Sequence, residues 1–134
     1  MPDPVTPPHG LLLCATSYPA EALMLRAVLE PAGWTMVVMD DAVSAMRELC
    51  REPERFRAVV VGERVGRTSG LSLSGLIRDS GRALPIVLLT TQDSTVIAGR
   101  AARLGVTVLG EPVSPERLIG TLGEVTPGPV CIAS

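Results

Sequence analysis

Between residues 11 and 123, short unbroken apolar runs alternate with longer segments whose apolar residues recur every three or four positions. The runs LLLCA (11–15), TMVVM (35–39), AVVV (58–61), PIVLL (85–89) and VTVL (106–109) predict five strands. They are continuous rather than alternating, so each strand is covered on both faces, as in a parallel sheet. The segments between them predict helices. In YPAEALMLRAVLEPAG the residues Ala22, Leu25, Val28, Leu29 and Ala32 share one face, and Pro31 with Gly33 ends it. In DDAVSAMRELCRE the stripe is Ala42, Ala45, Met46, Leu49 and Cys50, with Asp40 or Asp41 as the cap. SGLSLSGLIRDSG puts Leu73, Leu76 and Ile77 on one face, in a helix weakened by Gly75. STVIAGRAARLG opens on Ser94 and closes at Gly105. SPERLIGTLG offers Ser114 as cap, Pro115 at the first helical position and Glu116 in the first turn.

Five β-α units in succession imply an α/β domain: a doubly wound, five-stranded parallel sheet with right-handed crossovers and helices on both faces. The domain is placed at residues 11–124. Residues 1–10 form a Pro-rich tail, and 125–134 read as a tail or linker. Met1 is expected to be a true start, and the TPGP stretch fits a linker to an output or kinase domain.

Composition narrows the chemistry. The 134 residues suffice for one domain with a real core, and 46% are hydrophobic, which argues against a disordered chain. One Trp, one Tyr and one Phe leave that core aliphatic. Net charge is -2 with no basic cluster, so no nucleic-acid partner is expected. All twelve basic residues are Arg, which excludes lysine-dependent Schiff bases and P-loops. Cys14, Cys50 and Cys131 lack metal-ligand spacing, and Cys14 and Cys50 read as core filler. His9, the single histidine, cannot supply a triad from a Pro-rich tail. No metal or cofactor is expected. No apolar run is long enough for a membrane span and no secretion signal is visible, so a cytoplasmic location is expected.

The ordered set of segments resembles the receiver domains of bacterial two-component signalling, the CheY-like response regulators. LPIVLLTT is similar to their fourth strand with its hydroxyl, here Thr90. GEPVSPERL is similar to their Lys-Pro turn and the helix after it, with Pro112 in place. SGLSL keeps the Gly-Leu of their third helix as Gly70 and Leu71. PAEALMLRAVLEPAG keeps the distance from proline to glycine across the first helix. The resemblance spans about Leu11 to Gly123 and implies a flavodoxin-like sheet of strand order 2-1-3-4-5.

The same resemblance exposes departures where that family does its chemistry. Its acidic pair for Mg²⁺ falls on Thr16 and Ser17, and its phosphoryl-accepting aspartate on Gly62. Its lysine falls on Glu111 and its aromatic switch residue on Val108, while Thr90 survives. Gly62 offers no nucleophilic oxygen. Neutral hydroxyls are poor magnesium ligands, and Glu111 would repel a phosphoryl group. Glu63, next to Gly62, is expected to face away from the pocket by strand alternation. Asp40 and Asp41 read as a cap rather than a metal pair.

The expected function is a pseudo-receiver: a signalling domain independent of phosphorylation that acts through a protein partner or a homodimer. The expected face, built by the fourth helix, fifth strand and fifth helix, carries Ile97, Arg100, Arg103, Val108, Glu116 and Arg117, with Leu122 at its margin. Arg100 and Arg103 opposite Glu116 could pair across a two-fold axis. The alternative is a sensor of a small anionic ligand, such as a nucleotide second messenger. It would use the hydroxyls of Thr16, Ser17 and Thr90 with Arg64 or Arg67, unless Glu111 pairs with Arg64 and plugs the crevice. No catalytic residue is expected, because no nucleophile has an adjacent base.

Overall fold

The computed structural model describes residues 10–52, 54–92 and 94–126. In chain order the elements are β1 (Gly10–Ala15), α1 (Pro19–Leu29), β2 (Trp34–Met39), α2 (Ala42–Arg51), β3 (Phe56–Val61), β4 (Arg64–Val65), β5 (Thr68–Ser69), α3 (Gly70–Asp79), β6 (Ile86–Thr90), α4 (Thr95–Leu104), β7 (Val106–Gly110) and α5 (Pro115–Val125). The main sheet runs β2-β1-β3-β6-β7 with every neighbouring pair parallel. With the two-residue strands β4 and β5 set aside, this is the expected order 2-1-3-4-5.

Strand alternation sorts the apolar runs into two layers. Leu13, Ala15, Val59, Val61 and Leu88 meet Ala45, Leu49, Leu73, Ile77 and Ala101 of α2, α3 and α4. Leu12, Cys14, Ala58, Val60, Val87 and Leu89 meet Leu25, Leu29, Leu118 and Leu122 of α1 and α5. Both faces are therefore covered, which is why the runs show no polar alternation. His9 and Cys131 lie outside the described residues, as do most of the two expected tails. Among the described residues no helix is long and apolar enough to cross a membrane.

The caps follow side-chain chemistry. Asp41, not Asp40, accepts from the Ser44 amide at 2.7 Å and opens α2. Ser94 accepts from the Val96 and Ile97 amides, and Gly105 closes α4 at φ 69°, a left-handed conformation natural to glycine. Replacing Ser94 by Ala should cost about 1 kcal/mol, measured by urea unfolding, because two amides of the first turn lose their acceptor.

Three details differ from the sequence expectation. Cys50 is exposed, because the buried stripe of α2 runs Ala42, Ala45, Leu49 and Cys50 lies one residue round the helix. Leu76 is 47% exposed. The inner face of α3 instead passes through Leu71, Leu73, Ser74 and Ile77, and the Ser74 hydroxyl is satisfied by donating to the Gly70 carbonyl at 2.9 Å. Third, RVGRTS forms a small antiparallel hairpin between β3 and α3 that periodicity did not signal. Its two-residue strands are too short to carry a pattern.

Candidate functional site

The carboxyl ends of the strands form a cleft, the place where open α/β sheets hold their chemistry. Ala15 pairs with Val61, so the next residues, Thr16 and Gly62, emerge side by side, and the Gly62 amide donates to the Ala15 carbonyl at 2.9 Å. Thr90 ends β6 beside Gly110, and its carbonyl accepts from the Glu111 amide at 2.8 Å. Parallel register thus gathers Thr16, Gly62, Thr90 and Glu111 at one sheet edge. Ser17 joins them from the β1–α1 turn.

Carboxylates occupy this cleft. Glu21 in the first turn of α1 reaches back over the strand tips and accepts from Thr16 Oγ1 at 2.7 Å. A Cβ built on Gly62 would collide with Glu21 Oε1 and stand 2.9 Å from Thr16 Oγ1. The small residue at 62 is therefore what lets Glu21 lie there. Glu63 also turns inward, contrary to the alternation argument. Its Oε2 accepts from Thr90 Oγ1 at 2.5 Å, from the Thr91 amide at 2.5 Å and from Thr91 Oγ1 at 2.9 Å. Alternation holds only within a strand. Pairing stops at Val61, and the chain bends toward the β4–β5 hairpin before Glu63.

Glu111 completes the group. Burial, then a hydrogen bond and like charge from Glu21, then like charge from Glu63, push its carboxyl up to about 7. Glu63 moves the other way: the Thr90 hydroxyl, followed by Thr91, holds its carboxyl below the usual range. Among the described residues Glu111 makes no ion pair with Arg64. The Arg64 guanidinium bonds the Arg67 carbonyl at 3.3 Å along the hairpin. Ser17 is likewise committed, its amide and hydroxyl both donating to the Arg64 carbonyl at 2.9 and 3.0 Å.

All three hydroxyls expected to serve a ligand thus have internal partners. Thr90 donates to Glu63, so its hydroxyl has the anionic partner that the sequence reading left missing. The donor set also does not fit a magnesium ion. Thr16 and Ser17 are neutral, the carboxylates are tied to hydroxyls or to one another, and the described residues hold no group of three or more acids, histidines or cysteines disposed for a metal. Cys14 lies beneath, fully buried, its thiol pushed up to about 12 by burial and then by Glu21. It is a packing residue, with no accessible thiolate.

The expected interaction face is divided by the structure. Ile97, Arg100 and Arg103 run along the side of α4 that faces α3, where hollows are lined by Leu71, Gly75 and Leu76. Val108 is half-buried against the layer of α2, α3 and α4. Glu116 and Arg117 are exposed at the start of α5, and Leu122 is fully buried, so it belongs to the core and to no outer face. Among the described residues Arg100 and Arg103 make no ion pair.

Glu21 and Glu63 were missed as site residues. The signal for Glu21 was present: an acid in the first turn of a helix that starts at a strand tip sits over that tip. For Glu63 no local signal existed, because its partners lie 27 and 28 residues away.

No family model matches the chain, and no curated protein matches it in sequence. Solved structures match in fold. Chemotaxis protein CheY4 of Vibrio cholerae superposes with a TM-score of 0.78 at 23% identity, covering 87% of this chain and 98% of that one. A response regulator receiver domain protein of Clostridium thermocellum gives 0.79 at 15% identity, covering 87% and 93%. The receiver domain of a sensor histidine kinase from Pseudomonas aeruginosa, solved with a magnesium ion coordinated in its active-site cleft, gives 0.75 at 23%, covering 87% and 96%. The fold is that of CheY-like receiver domains.

Proposed function

We propose that this receiver-fold domain is a pseudo-receiver of two-component signalling, which acts by contact with another protein and whose state is set without phosphorylation. One observation carries this reading: the chain fills the cleft with its own carboxylates. Glu21 lies against Gly62, where the resemblance puts the phosphoryl acceptor, and Glu63 holds the Thr90 hydroxyl. A phosphoryl group arriving there meets the like charge of Glu21, Glu63 and Glu111, and the carboxylates that stand where an acceptor would be are held by Thr16, Thr90 and Thr91. The hydroxyl that would respond to a phosphoryl oxygen is bonded to an anion supplied by the chain. The same carboxylates disfavour a small anion at the strand tips, where a nucleotide phosphate would face like charge, while Arg64 and Arg100 line the adjoining hollow.

The test is incubation with acetyl phosphate, or with beryllofluoride, with and without Mg²⁺. Intact mass and the amide spectra of Gly62, Glu63, Thr90 and Thr91 are the readouts. The expected result is an unchanged mass and no magnesium-dependent shift at these amides. A covalent adduct, or shifts centred on Thr90 that need Mg²⁺, would overturn the proposal.

A further inference from the structure

We propose that the groove between α3 and α4 is a docking site for an acidic amphipathic helix of a partner protein. Two hollows, of about 400 and 590 Å³, share Leu71 and Arg100 and so run into one another. Together they follow the α3 side of α4 from Gln92 to Leu104. The ten residues of α4 span about 15 Å, roughly three turns of a bound helix.

The lining is mixed. Leu71, Leu88 and Ile97 stand with Ser69, Thr90 and Gln92 at one end, and Leu76, 47% exposed, stands with Ser72 at the other. A leucine on a helix surface leaves apolar area in water, and a partner's apolar stripe would cover it. Close approach is open as well: a Cβ on Gly75 would meet nothing within 4 Å.

The wall supplies the charge. Arg100 and Arg103 line the middle and far end, and Arg64 lines the near end. Arg100 and Arg103 have no ion-pair partner among the described residues. Two acids, Glu63 and Asp79, also line the hollows, so the three arginines outnumber them by one. Apolar anchors flanked by carboxylates complement such a groove, in the manner of a helix laid in a groove.

The groove is also preformed. Arg78 of α3 donates from Nε to the Leu104 carbonyl at 2.6 Å and from Nη2 to the Gly105 carbonyl at 3.1 Å, while Nη1 reaches Leu84 at 2.7 Å. These bonds clamp the end of α4 against α3, so that end of the groove is set before an occupant arrives and less order is lost there on binding. The site deepens the contact reading above, but it is tested separately, since it does not depend on whether the cleft accepts a phosphoryl group.

The experiment titrates the ¹⁵N-labelled domain with a helical peptide of roughly twelve residues carrying leucines on one face and glutamates beside them. Controls are its lysine counterpart and a scrambled sequence of equal charge. The expected result is amide shifts confined to α3 and α4, around Gly75, Leu76, Arg100 and Arg103, with the acidic helix alone. The double variant Arg100→Glu, Arg103→Glu should weaken binding at least about tenfold while leaving the melting temperature unchanged, since both side chains are exposed. Four results would overturn the proposal. They are no shift at millimolar acidic peptide, equal binding of the scrambled peptide, shifts on β7 and α5 instead, and displacement by a simple nucleotide that alone reproduces the α3–α4 shifts.

Discussion

Replacing Gly70 by alanine is expected to cost about 3 kcal/mol or more, and to loosen the cleft as it does so. Gly70 opens α3 where the helix meets the tip of β3. A Cβ there would collide with the Gly62 carbonyl oxygen and come to 2.9 Å from Leu88 Cδ1. The first obstacle is backbone, which cannot swing aside as a side chain can. Relief requires moving the Gly62–Glu63 segment or the start of α3, whose Gly70 amide donates to the Glu63 carbonyl at 2.9 Å. Either movement draws Glu63 away from Thr90. Two further glycine variants calibrate the result. Gly62→Ala meets chiefly the far end of Glu21, so it should cost less than Gly70→Ala. Gly75→Ala meets nothing, and should stabilise α3 by up to about 1 kcal/mol through helix propensity. Urea unfolding of the three variants gives the ranking. A Gly70→Ala variant as stable as the parent would show that the β3–α3 junction is looser than described.

The second large effect is a loss of stability as pH rises from 4.5 to about 7, removed by Glu111→Gln and reversed by Glu111→Lys. Glu111 has its carboxyl pushed from 4.5 to about 7 in the folded state, first by burial and then by Glu21 and Glu63. Between those values the folded chain holds a proton that the unfolded chain has released. Its stabilising contribution is therefore complete below 4.5, falls as pH rises through that window, and is gone above about 7. Much of the side chain remains open to water, and screening reduces the expected loss to about 1–2 kcal/mol. Glu63 works with the opposite sign. Its carboxyl is held low by Thr90, so its contribution is present above the ordinary glutamate value and is lost at more acidic pH. The two together place the highest stability near about pH 5. Denaturation midpoints at about pH 5 and about pH 8 give the measurement. Lysine at 111 would put a cation between Glu21 and Glu63, so that variant should exceed the parent most at the alkaline end. A parent with equal midpoints at both pH values, unaffected by Glu111→Gln, would show that the three carboxylates do not interact.

Much of the fold was legible because its signals are local. The apolar run Val59, Val60, Val61 needs no knowledge of distant residues to read as a strand covered on both faces. Ser94, Ser114 and Gly105 announce helix ends through hydrogen bonds made within one turn. The resemblance supplied the strand order, which periodicity alone does not set. Two of the errors were also local in kind. Cys50 and Leu76 sit at the margins of apolar stripes, where a small rotation of the helix decides between core and solvent.

What the sequence determined by itself was the succession of five covered strands and five amphipathic helices, together with the residue types at the strand tips: hydroxyls at 16 and 17, no side chain at 62, an acid at 111. Only the tertiary structure decided what those tips touch. Glu21, Glu63 and Glu111 come from a helix and two loops, and they meet because parallel pairing brings the carboxyl ends of β1, β3, β6 and β7 to one edge. The same packing turned Arg100 and Arg103 toward α3 rather than toward α5. Periodicity depends on neighbours a few residues apart, whereas charge and hydrogen bonding act on whatever the fold places within reach, however distant along the chain.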